Sequence, residues 1–345
     1  LGAYREQVGF SPGTFMSLGR EDVHDLSTPL SMTVLALKGS RKANGVSKLH
    51  GEVSREMFKD LGYPIGHITN GVHPTAWLAP EMADLFNDYL PEWNRNWNQA
   101  EYWSAVHSIP DSLLRETKTV LRRKLIQEAR YILREDVLDE DRLTIGFARR
   151  FATYKRGALI FSDPERLEKI LLQGVQLIFA GKAHPADIPG QSVLATVIRF
   201  SRDPRFKGQV VFIPDYNAHI GRLMTQGCDL WLNNPRRPRE ASGTSGQKVS
   251  LNAGLNFSSI DGWWPEAFDG SNGWCIGDRE DWTDLEAQDQ FDVNSLYETL
   301  ENEIVPTFND SKKWAYMMKR SLESCCPIYN TERMVMDYLN KVYQK

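Results

Sequence analysis

Short apolar runs of strand length alternate with amphipathic segments through the second half of the chain. The apolar runs fall at residues 143–148, 175–180, 210–213, 229–233 and 255–260. Helical patterns separate them, for example at 191–200 and 218–226. Strands that alternate with helices in this rhythm predict an α/β fold with a right-handed parallel sheet and helices on both faces.

The first part of the chain carries a weaker version of this pattern. The predicted elements are an irregular segment at 1–28, a helix at 30–38, a short strand at 44–47, a helix at 53–61 and a strand at 65–68 that ends in an Asn-Gly turn. Open α/β sheets bind ligands where a strand delivers polar residues at its carboxyl end. Asn70 stands at such a position and is a candidate site residue.

Helical character dominates the other segments. Residues 112–133 form a long amphipathic pattern with Lys and Arg on one face, which we expect to be solvated. The tryptophans at 93, 97 and 103 fall near helical spacing, so we expect them to pack rather than to form a sugar platform. The chain is helical from about residue 293, and 332–343 predicts an amphipathic terminal helix.

Composition and charge exclude several function classes. A chain of 345 residues with 41% hydrophobic composition can form one large domain or two smaller ones. Its net charge of -4, with Lys and Arg spread along the sequence, argues against a nucleic-acid partner. No apolar run approaches the ~20 residues of a membrane span, and no signal-peptide pattern opens the chain, so we expect no membrane partner.

Cysteine and histidine usage indicates neither a disulfide scaffold nor a metal site. The four cysteines are too few and too irregularly spaced, which favours a reducing, cytoplasmic setting. His24 has no second histidine at ligand spacing, so we expect a loop residue there and no metal. Leu1 replaces the usual initial methionine, and Leu1-Gly-Ala-Tyr is typical of the interior of a sequence, so we expect a fragment or a trimmed product.

One loop concentrates small residues and hydroxyls. The run Glu240-Ala-Ser-Gly-Thr-Ser-Gly-Gln-Lys248 allows a tight turn that exposes several N–H groups together. It leads into residues 249–255, which we predict as a helix, and a helix start favours negative charge. Lys248 adds an amine that would suit a phosphate-bearing ligand with an aldehyde. The alternative is a flexible turn with a solvated lysine, because Gly/Ser motifs have many false positives.

Four cations follow the predicted strand at 143–148 within eight residues: Arg149, Arg150, Lys155 and Arg156. Such a cluster at the carboxyl end of a buried strand is costly unless the cations meet an anion. A solvated basic loop is the alternative, and composition alone leaves both interpretations open.

The order of these motifs resembles that of the α-glucan (glycogen, starch and maltodextrin) phosphorylases. The run from Glu240 to Lys248, followed by Leu-Asn and then Asp261-Gly, resembles the pyridoxal phosphate segment of that family. Asn44-Gly-Val-Ser-x-x-His and Thr69-Asn-Gly-Val-His-Pro-x-x-Trp-Leu resemble the end of the family's first domain and its crossing to the second.

Three more stretches carry the same resemblance. The Arg-x-x-x-Tyr-Lys run that ends at Lys155 resembles the phosphate-handling loop, and Gly181-Lys-Ala-x-Pro resembles the turn after the next strand. Trp263-Trp264 and Asp269-Gly-Ser-Asn-Gly-Trp are similar to the short bacterial or archaeal branch. Two departures are visible: Asn217 stands where many members have arginine, and Gln247 stands where this branch usually has methionine.

The resemblance implies a GT-B fold and a retaining phosphorolysis of terminal α-1,4-glucosyl units by orthophosphate, which gives α-glucose 1-phosphate. It implies that Lys248 holds pyridoxal 5'-phosphate as a Schiff base and that Arg150 and Lys155 hold orthophosphate and the cofactor phosphate. The implied cofactor-binding residues are Lys248, Thr244, Ser245, Tyr216, Arg149 and Lys155. The implied substrate-binding residues are Glu240, Ala241, Ser242, Gly243 and Asn70.

The resemblance also implies a division of the chain. Residues 1–75 would be the incomplete end of the first GT-B domain, 76–330 a Rossmann-like cofactor domain, and 331–345 a terminal helix. In two-domain glycosyltransferase folds such a helix often packs back on the first domain. The other glucose contacts of the family's first domain would lie upstream of Leu1, so we expect little turnover from this chain alone. Allosteric features of the family would lie outside the chain, and homo-oligomer formation is left open.

Other function classes stay open at this point. A sugar-nucleotide GT-B transferase such as a glycogen synthase would share the fold and the basic pair, but would not need a lysine that carries an aldehyde cofactor. A non-catalytic carbohydrate-binding remnant would bind maltodextrin without any cofactor. A fold-type I aminotransferase would need an Asp partner for the pyridine nitrogen, and the sequence identifies none.

Overall fold

The computed structural model describes residue 7 and residues 9–344. Its strands are β1 Ala43–Gly45, β2 Ile65–His67, β3 Leu143–Ala148, β4 Val175–Ala180, β5 Val210–Ile213, β6 Leu230–Asn233, β7 Leu255–Ser259 and β8 Gly273–Ile276. The start at Leu1 and the final Lys345 lie outside the described residues.

Helices occupy most of the intervening chain. They are α1 Pro12–Ser17, α2 Met32–Gly39, α3 Lys48–Met57, α4 Pro74–Trp77, α5 Pro80–Tyr89, α6 Ala100–Trp103, α7 Asp111–Leu133, α8 Pro164–Leu171, α9 Ile188–Ser201, α10 Ala218–Gly227, α11 Ser245–Ser250, α12 Trp264–Ala267, α13 Leu285–Thr299, α14 Val305–Asn309, α15 Ser311–Cys325 and α16 Thr331–Tyr338. Short 3₁₀ turns add Lys59–Leu61, Trp93–Arg95, Ser104–Ser108, Thr153–Lys155, Leu159–Phe161 and Pro204–Phe206, and π-helical turns add Leu300–Ile304 and Leu339–Tyr343.

The main sheet has six parallel strands in the order β5-β4-β3-β6-β7-β8, which confirms the predicted α/β class. The chain builds outward from β3 to β5 and then returns to the centre, where β6 pairs with β3. The strand order therefore reverses between β3 and β6. In open α/β sheets this reversal marks the ligand site, outside the carboxyl ends of the strands.

Both faces of the main sheet are buried. Successive strand residues point to opposite sides, so each strand contributes side chains to two apolar cores. Leu177 and Phe179 of β4 join the larger apolar core, which also contains residues of α8 and α13. Ile178 and Ala180 join a second core with residues of α7 and α10. Helix layers on both faces follow from this alternation, as the parallel sheet predicts.

The first part of the chain packs against the loops of the main sheet. The strands β1 and β2 form a separate two-stranded parallel sheet joined through α3. Ser47 donates to the carbonyl of Ala241 at 2.7 Å, and Thr69 donates to the carboxylate of Glu266 at 2.9 Å. Val72 forms a parallel bridge with Asn330 next to α16. The division into 1–75, 76–330 and 331–345 stays a prediction.

The terminal helix contacts this first part as expected. The side chain of Asn44 donates to the Tyr338 hydroxyl at 3.1 Å, and Lys42 donates to the Lys341 carbonyl at 2.6 Å. Among the described residues, no helix is long and apolar enough to cross a membrane.

Two predicted helix boundaries are wrong. The helix expected at 53–61 begins earlier, because the Ser47 hydroxyl caps it by accepting the N–H of His50 at 3.1 Å. The helix expected at 249–255 is instead α11, which ends at Ser250. Ala253 adopts a left-handed conformation (φ 56°) so that the chain can turn into β7. Lys248 therefore lies well inside a six-residue helix rather than at its start.

The expectation of a solvated charged face on α7 is also wrong for two residues. Lys118 is 2% exposed and donates to the carbonyls of Gln226 (2.7 Å) and Asn252 (3.2 Å). Arg122 is 6% exposed and donates to the carboxylate of Asp229 at 2.8 Å. These partners compensate the cost of burying the two cations.

The tryptophans pack as predicted. Trp93, Trp97 and Trp103 are buried together with Phe86, with ring centroids 5.1 to 5.7 Å apart. Such edge-on and tilted contacts are typical of an aromatic core.

Candidate functional site

The loops that follow β3 and β6 meet at the reversal of the sheet. Arg156, in the first loop, donates to the carbonyls of Asn234 and Pro235 in the second, each at 3.0 Å. The Asn234 side chain returns a hydrogen bond to the Arg156 carbonyl at 3.0 Å. The two loops are therefore fastened to one another where a ligand is expected.

Glu240 links Arg149 and Lys155, two residues of the predicted cofactor-binding set. Arg150, which was predicted to hold phosphate together with Lys155, lies outside this group. Glu240 Oε2 accepts hydrogen bonds from Arg149 Nη2 and Lys155 Nζ, both at 2.7 Å, and these three side chains are 10% exposed or less. Burial acts to raise the pKa of Glu240, but the charges of Arg149 and Lys155 outweigh it and the pKa is lowered. The carboxylate is therefore ionised and shared by two buried cations.

Two buried donors beside this group have no hydrogen-bond partner among the described residues. They are Nη1 of Arg149 and the hydroxyl of Ser242. Gly243 keeps the loop open there with φ +75°, and a Cβ on it would lie 3.5 Å from Arg149 Nη2. Buried polar groups are nearly always satisfied in native proteins, so these donors indicate a ligand. Their chemistry fits an anion with several acceptor oxygens.

Asp261 fixes the backbone of this loop. Its carboxylate is fully buried and accepts the N–H groups of Glu240 and Gly262, both at 2.8 Å. Burial raises the pKa of Asp261 to about 7, against the lowering effect of these two hydrogen bonds. The N–H of Trp263 donates to the Ser242 carbonyl at 3.0 Å, so the turn after β7 holds the loop from both ends.

The Lys248 amine lies against an aromatic ring. Its Nζ is 3.6 Å from the centroid of the Trp77 ring, and no carboxylate of the described residues forms an ion pair with it. The side chain is half-buried, and burial lowers the pKa of Lys248. A lysine with a lowered pKa has more neutral amine at pH 7 and is a better nucleophile towards an aldehyde.

Arg150 and Asn70 take positions at the rim. Arg150 follows Arg149 but is exposed and has no ion pair among the described residues. Asn70 is half-buried, and its carbonyl accepts a hydrogen bond from Gln247 Nε2 at 3.0 Å. Ala241 contributes its carbonyl to the contact with Ser47. Both Asn70 and Ala241 thus connect the first part of the chain with the loop of Glu240.

The predicted cofactor-phosphate residues fall into two groups. Thr244 and Ser245 open α11, where Ser245 accepts a hydrogen bond from Trp231 Nε1 at 3.0 Å. Tyr216 lies after β5, two strands from β3, is half-buried, and has a pKa raised by burial. Asn217 caps α10 by accepting the N–H groups of His219 and Ile220 at 2.9 and 3.1 Å.

Trp77 and Asp261 are site residues that the sequence predictions did not select. Both stood inside quoted motifs, at the end of Thr69-Asn-Gly-Val-His-Pro-x-x-Trp and at the start of Asp261-Gly. The motif order was the available signal, but only the fold brings Trp77 to Lys248. Among the described residues, no group of three or more His, Cys, Asp or Glu side chains is arranged to hold a metal ion.

Comparison with known proteins identifies relatives of this chain. The chain matches the family model for carbohydrate phosphorylases over residues 17–267. It is 41% identical to the maltodextrin phosphorylase of Thermococcus litoralis, over 98% of this chain and 43% of that protein. It is 39% identical to the glycogen phosphorylase of Aquifex aeolicus, over 93% of this chain and 50% of that protein, and 37% identical to that of Mycobacterium bovis, over 99% and 43%.

These matches cover almost all of this chain but only part of each relative. The chain spans half the length or less of the three curated relatives, at 43% to 50%. The alignments nevertheless cover almost all of this chain, and the family model covers the main sheet up to α12 together with the segment that packs on it. The chain therefore belongs to the carbohydrate phosphorylase family.

Proposed function

We propose that this chain is the cofactor-binding part of an α-glucan phosphorylase and that it binds pyridoxal 5'-phosphate through Lys248. The observation that carries the proposal is the Lys248 amine, half-buried on the Trp77 ring, in the loop-helix segment that begins at the Glu240–Arg149–Lys155 cluster. The relatives named maltodextrin and glycogen phosphorylase support an α-1,4-glucan, orthophosphate and glucose 1-phosphate as reactants.

The chemistry of the site fits pyridoxal phosphate. The aldehyde requires a neutral amine, and burial lowers the pKa of Lys248. The phosphate requires buried donors, and Arg149 Nη1 has no partner among the described residues. Gly243 leaves room that a side chain would fill. When bound, the cofactor supplies a phosphate group that supports proton transfer by orthophosphate, whereas its ring is not used as an electron sink.

The residues of this chain would contribute mainly electrostatics and positioning. Arg149 and Lys155 hold phosphate oxygens by charge-assisted hydrogen bonds and offset the repulsion between two phosphates. Arg150, exposed at the rim, meets the incoming orthophosphate. Backbone N–H groups of Gly243 and Thr244 cradle the phosphates. Such preset donors lower the barrier because they need no rearrangement during reaction.

On the sugar side, Glu240, Ser242 and Asn70 would bond glucosyl hydroxyls. Their position at the contact between the first part of the chain and the main sheet supports this role, since Gln247 and Ser47 connect those two parts beside them. We further propose a cytoplasmic location, which the four free cysteines support.

Borohydride reduction in the presence of pyridoxal phosphate, followed by peptide mass mapping, tests the proposal. A pyridoxyl adduct on the Lys248 peptide is expected, with far less label on exposed lysines. A folded sample that gives no adduct at Lys248 would contradict the proposal. In that case a nucleotide-sugar GT-B transferase, which needs no such lysine, becomes the better interpretation.

A further inference from the structure

A fully buried asparagine connects the two elements that bring Lys248 and Trp77 together. Asn252 lies in the turn between α11 and β7 and is 0% exposed. Its Nδ2 donates to the carbonyl of Lys248 at 2.9 Å and to the carbonyl of Trp77 at 3.0 Å. One amide group is therefore bonded to the backbone of both residues.

The same side chain also fixes the segment that follows Trp77. Oδ1 of Asn252 accepts the N–H of Ala79 at 2.8 Å, between α4 and α5. Helix ends leave backbone groups without intrahelical partners, and here one side chain satisfies a carbonyl of α4 and the N–H that precedes α5. Because Asn252 donates and accepts at once, two of its hydrogen bonds hold the Trp77 segment and a third holds the Lys248 carbonyl of α11.

Two neighbours reinforce this connection. Gln226 Nε2 donates to the Trp77 carbonyl at 3.2 Å, and Lys118 Nζ donates to the Asn252 carbonyl at 3.2 Å. The helices α7 and α10 thus hold Asn252 and Trp77 from behind. Trp77 and Lys248 are far apart in sequence, and these links join the two elements whose contact brings the ring centroid and the amine to 3.6 Å.

We propose that Asn252 is a positioning residue that holds the Trp77 ring against the Lys248 amine. The proposal rests on the proposed function of Lys248 and goes beyond it by naming the group that sets the surroundings of the amine. Without Asn252, the Trp77 segment can move away from α11, water reaches the amine, and the effect of burial on Lys248 is reduced. The pKa of Lys248, which burial lowers, then returns towards that of an ordinary lysine.

Asn252→Ala is the test variant and Asn272→Ala the matched control. Asn272 is also 0% exposed and makes a comparable set of bonds, to the Ala267 carbonyl, the Ser324 hydroxyl and the Asp269 N–H. None of these hydrogen bonds of Asn272 reaches Lys248 or Trp77. Both variants lose a buried amide, so thermal unfolding of both reports the structural cost that they share.

The first measurement is the pH profile of reductive labelling of Lys248 by pyridoxal phosphate. We expect Asn252→Ala to move the midpoint to higher pH and to reduce labelling at pH 7.5 by about tenfold, since small displacements of reacting groups have large kinetic effects. Asn272→Ala should keep the wild-type midpoint at a similar loss of thermal stability. An unchanged midpoint in Asn252→Ala, with the protein folded and labelled, would overturn the proposal.

A second measurement needs no cofactor. Competitive acetylation by acetic anhydride across pH, read on the Lys248 peptide, reports the pKa of the amine directly. Two cations lie beside these links: Lys118 on α7 donates to the Asn252 carbonyl at 3.2 Å, and Arg222 on α10 donates through Nε to the Ala76 carbonyl at 3.2 Å. Both are present in every variant, and Lys118 is read on its own peptide. Failure of the wild-type chain to bind pyridoxal phosphate would count against the proposed function, whereas this measurement still decides the role of Asn252.

Discussion

A buried lysine and a half-buried lysine occupy opposite kinds of surroundings in this chain. Lys118, on the helical side of the sheet, is 2% exposed and donates to two backbone carbonyls. Lys248, in the loop region at the carboxyl ends of the strands, faces an aromatic ring and no carboxylate of the described residues. Burial lowers the pKa of both, that of Lys118 to about 8. A lowered pKa therefore does not distinguish a structural lysine from a reactive one, whereas the partners do.

Two arginines of the loop after β3 repeat this contrast. Arg156 donates to two backbone carbonyls and pairs with Asp289 (2.8 Å) and Asp292 (2.6 Å). Arg149 pairs with Glu240, and its Nη1 is buried without a partner. Saturated donors hold the loops in place, and unsaturated donors beside them indicate where a ligand binds. At Arg156 the protein's own acceptors compensate the free-energy cost of burying the cation, whereas at Arg149 they compensate it only in part.

The largest expected effect is the loss of pyridoxal phosphate labelling when Lys248 is removed, which distinguishes this lysine from the structural Lys118. Lys248→Ala should abolish the pyridoxyl adduct after borohydride reduction, because no other described amine shares its half-buried position on an aromatic ring in the small-residue loop. The thermal midpoint should change little, since the amine contacts the Trp77 ring but forms no hydrogen bond or ion pair with the described residues. The matched control is Lys182→Ala, which removes an exposed lysine after β4 and should retain the adduct. Equal labelling of wild type and Lys248→Ala would contradict the assignment.

At Lys118 we expect a loss of stability instead of a loss of labelling. Lys118→Met keeps the apolar stem but leaves the carbonyls of Gln226 and Asn252 without this donor. Unsatisfied buried groups cost about 2 kcal/mol, so urea unfolding should show a loss of roughly that size. An unchanged or increased free energy of unfolding would mean that the cost of burying the charge exceeds the value of its hydrogen bonds.

The pH dependence of unfolding sharpens the same test. The unfolded lysine keeps its proton up to a pH of about 10.4, whereas the folded Lys118 releases it near its lowered pKa of about 8. The unfolded state therefore binds more protons between these values, and the free energy of unfolding of wild type should rise with pH in that window. Lys118→Met should lack this contribution, and other titrating groups cancel in the difference between the two proteins.

The sequence predicts the apolar parts of the fold better than the buried polar contacts. Apolar runs such as 175–180 and 210–213 identify the strands of the sheet because burial on both faces leaves an uninterrupted apolar signal. The solvated face expected on α7 was wrong, because Lys118 and Arg122 are polar in sequence but find acceptors only through contacts distant along the chain. Periodicity carries no information about those partners.

The site shows the same limit. Motif order selected Glu240, Lys155 and Lys248, and the fold brings the first two within 2.7 Å. The spacing did not reveal that Glu240 neutralises the cations that were expected to hold phosphate. It also did not reveal Trp77 as the neighbour of Lys248, since that contact depends on the packing of α4 against α11.

A smaller effect is expected for the exposed cation of the loop. Arg150→Ala should weaken binding of inorganic phosphate by about tenfold if Arg150 meets the anion directly, as one charge-assisted hydrogen bond is worth about 1.5 kcal/mol. Stability should stay within about 0.5 kcal/mol of wild type, because the side chain is exposed and holds no partner in the described chain. Titration calorimetry with phosphate and urea unfolding separate the two quantities. A loss of stability without a loss of phosphate binding would assign Arg150 to structure instead.

The smallest expected effect concerns the Glu240 carboxylate. The informative result is whether the affinity for inorganic phosphate rises or falls when its charge is removed. Glu240 accepts from Arg149 and Lys155, so a phosphate that reaches these groups competes with it. Glu240→Gln keeps the size of the side chain but removes its charge, so the affinity for inorganic phosphate should rise by roughly fivefold, equivalent to about 1 kcal/mol. Asp292→Asn removes the same charge from Arg156 and should leave phosphate affinity unchanged, because Arg156 keeps Asp289 and the carbonyls of Asn234 and Pro235 as partners. A fall in affinity in Glu240→Gln would mean that Glu240 organises the cations for phosphate rather than competing for them. The unsaturated region would then depend on its carboxylate in the way that Arg156 depends on Asp289 and Asp292.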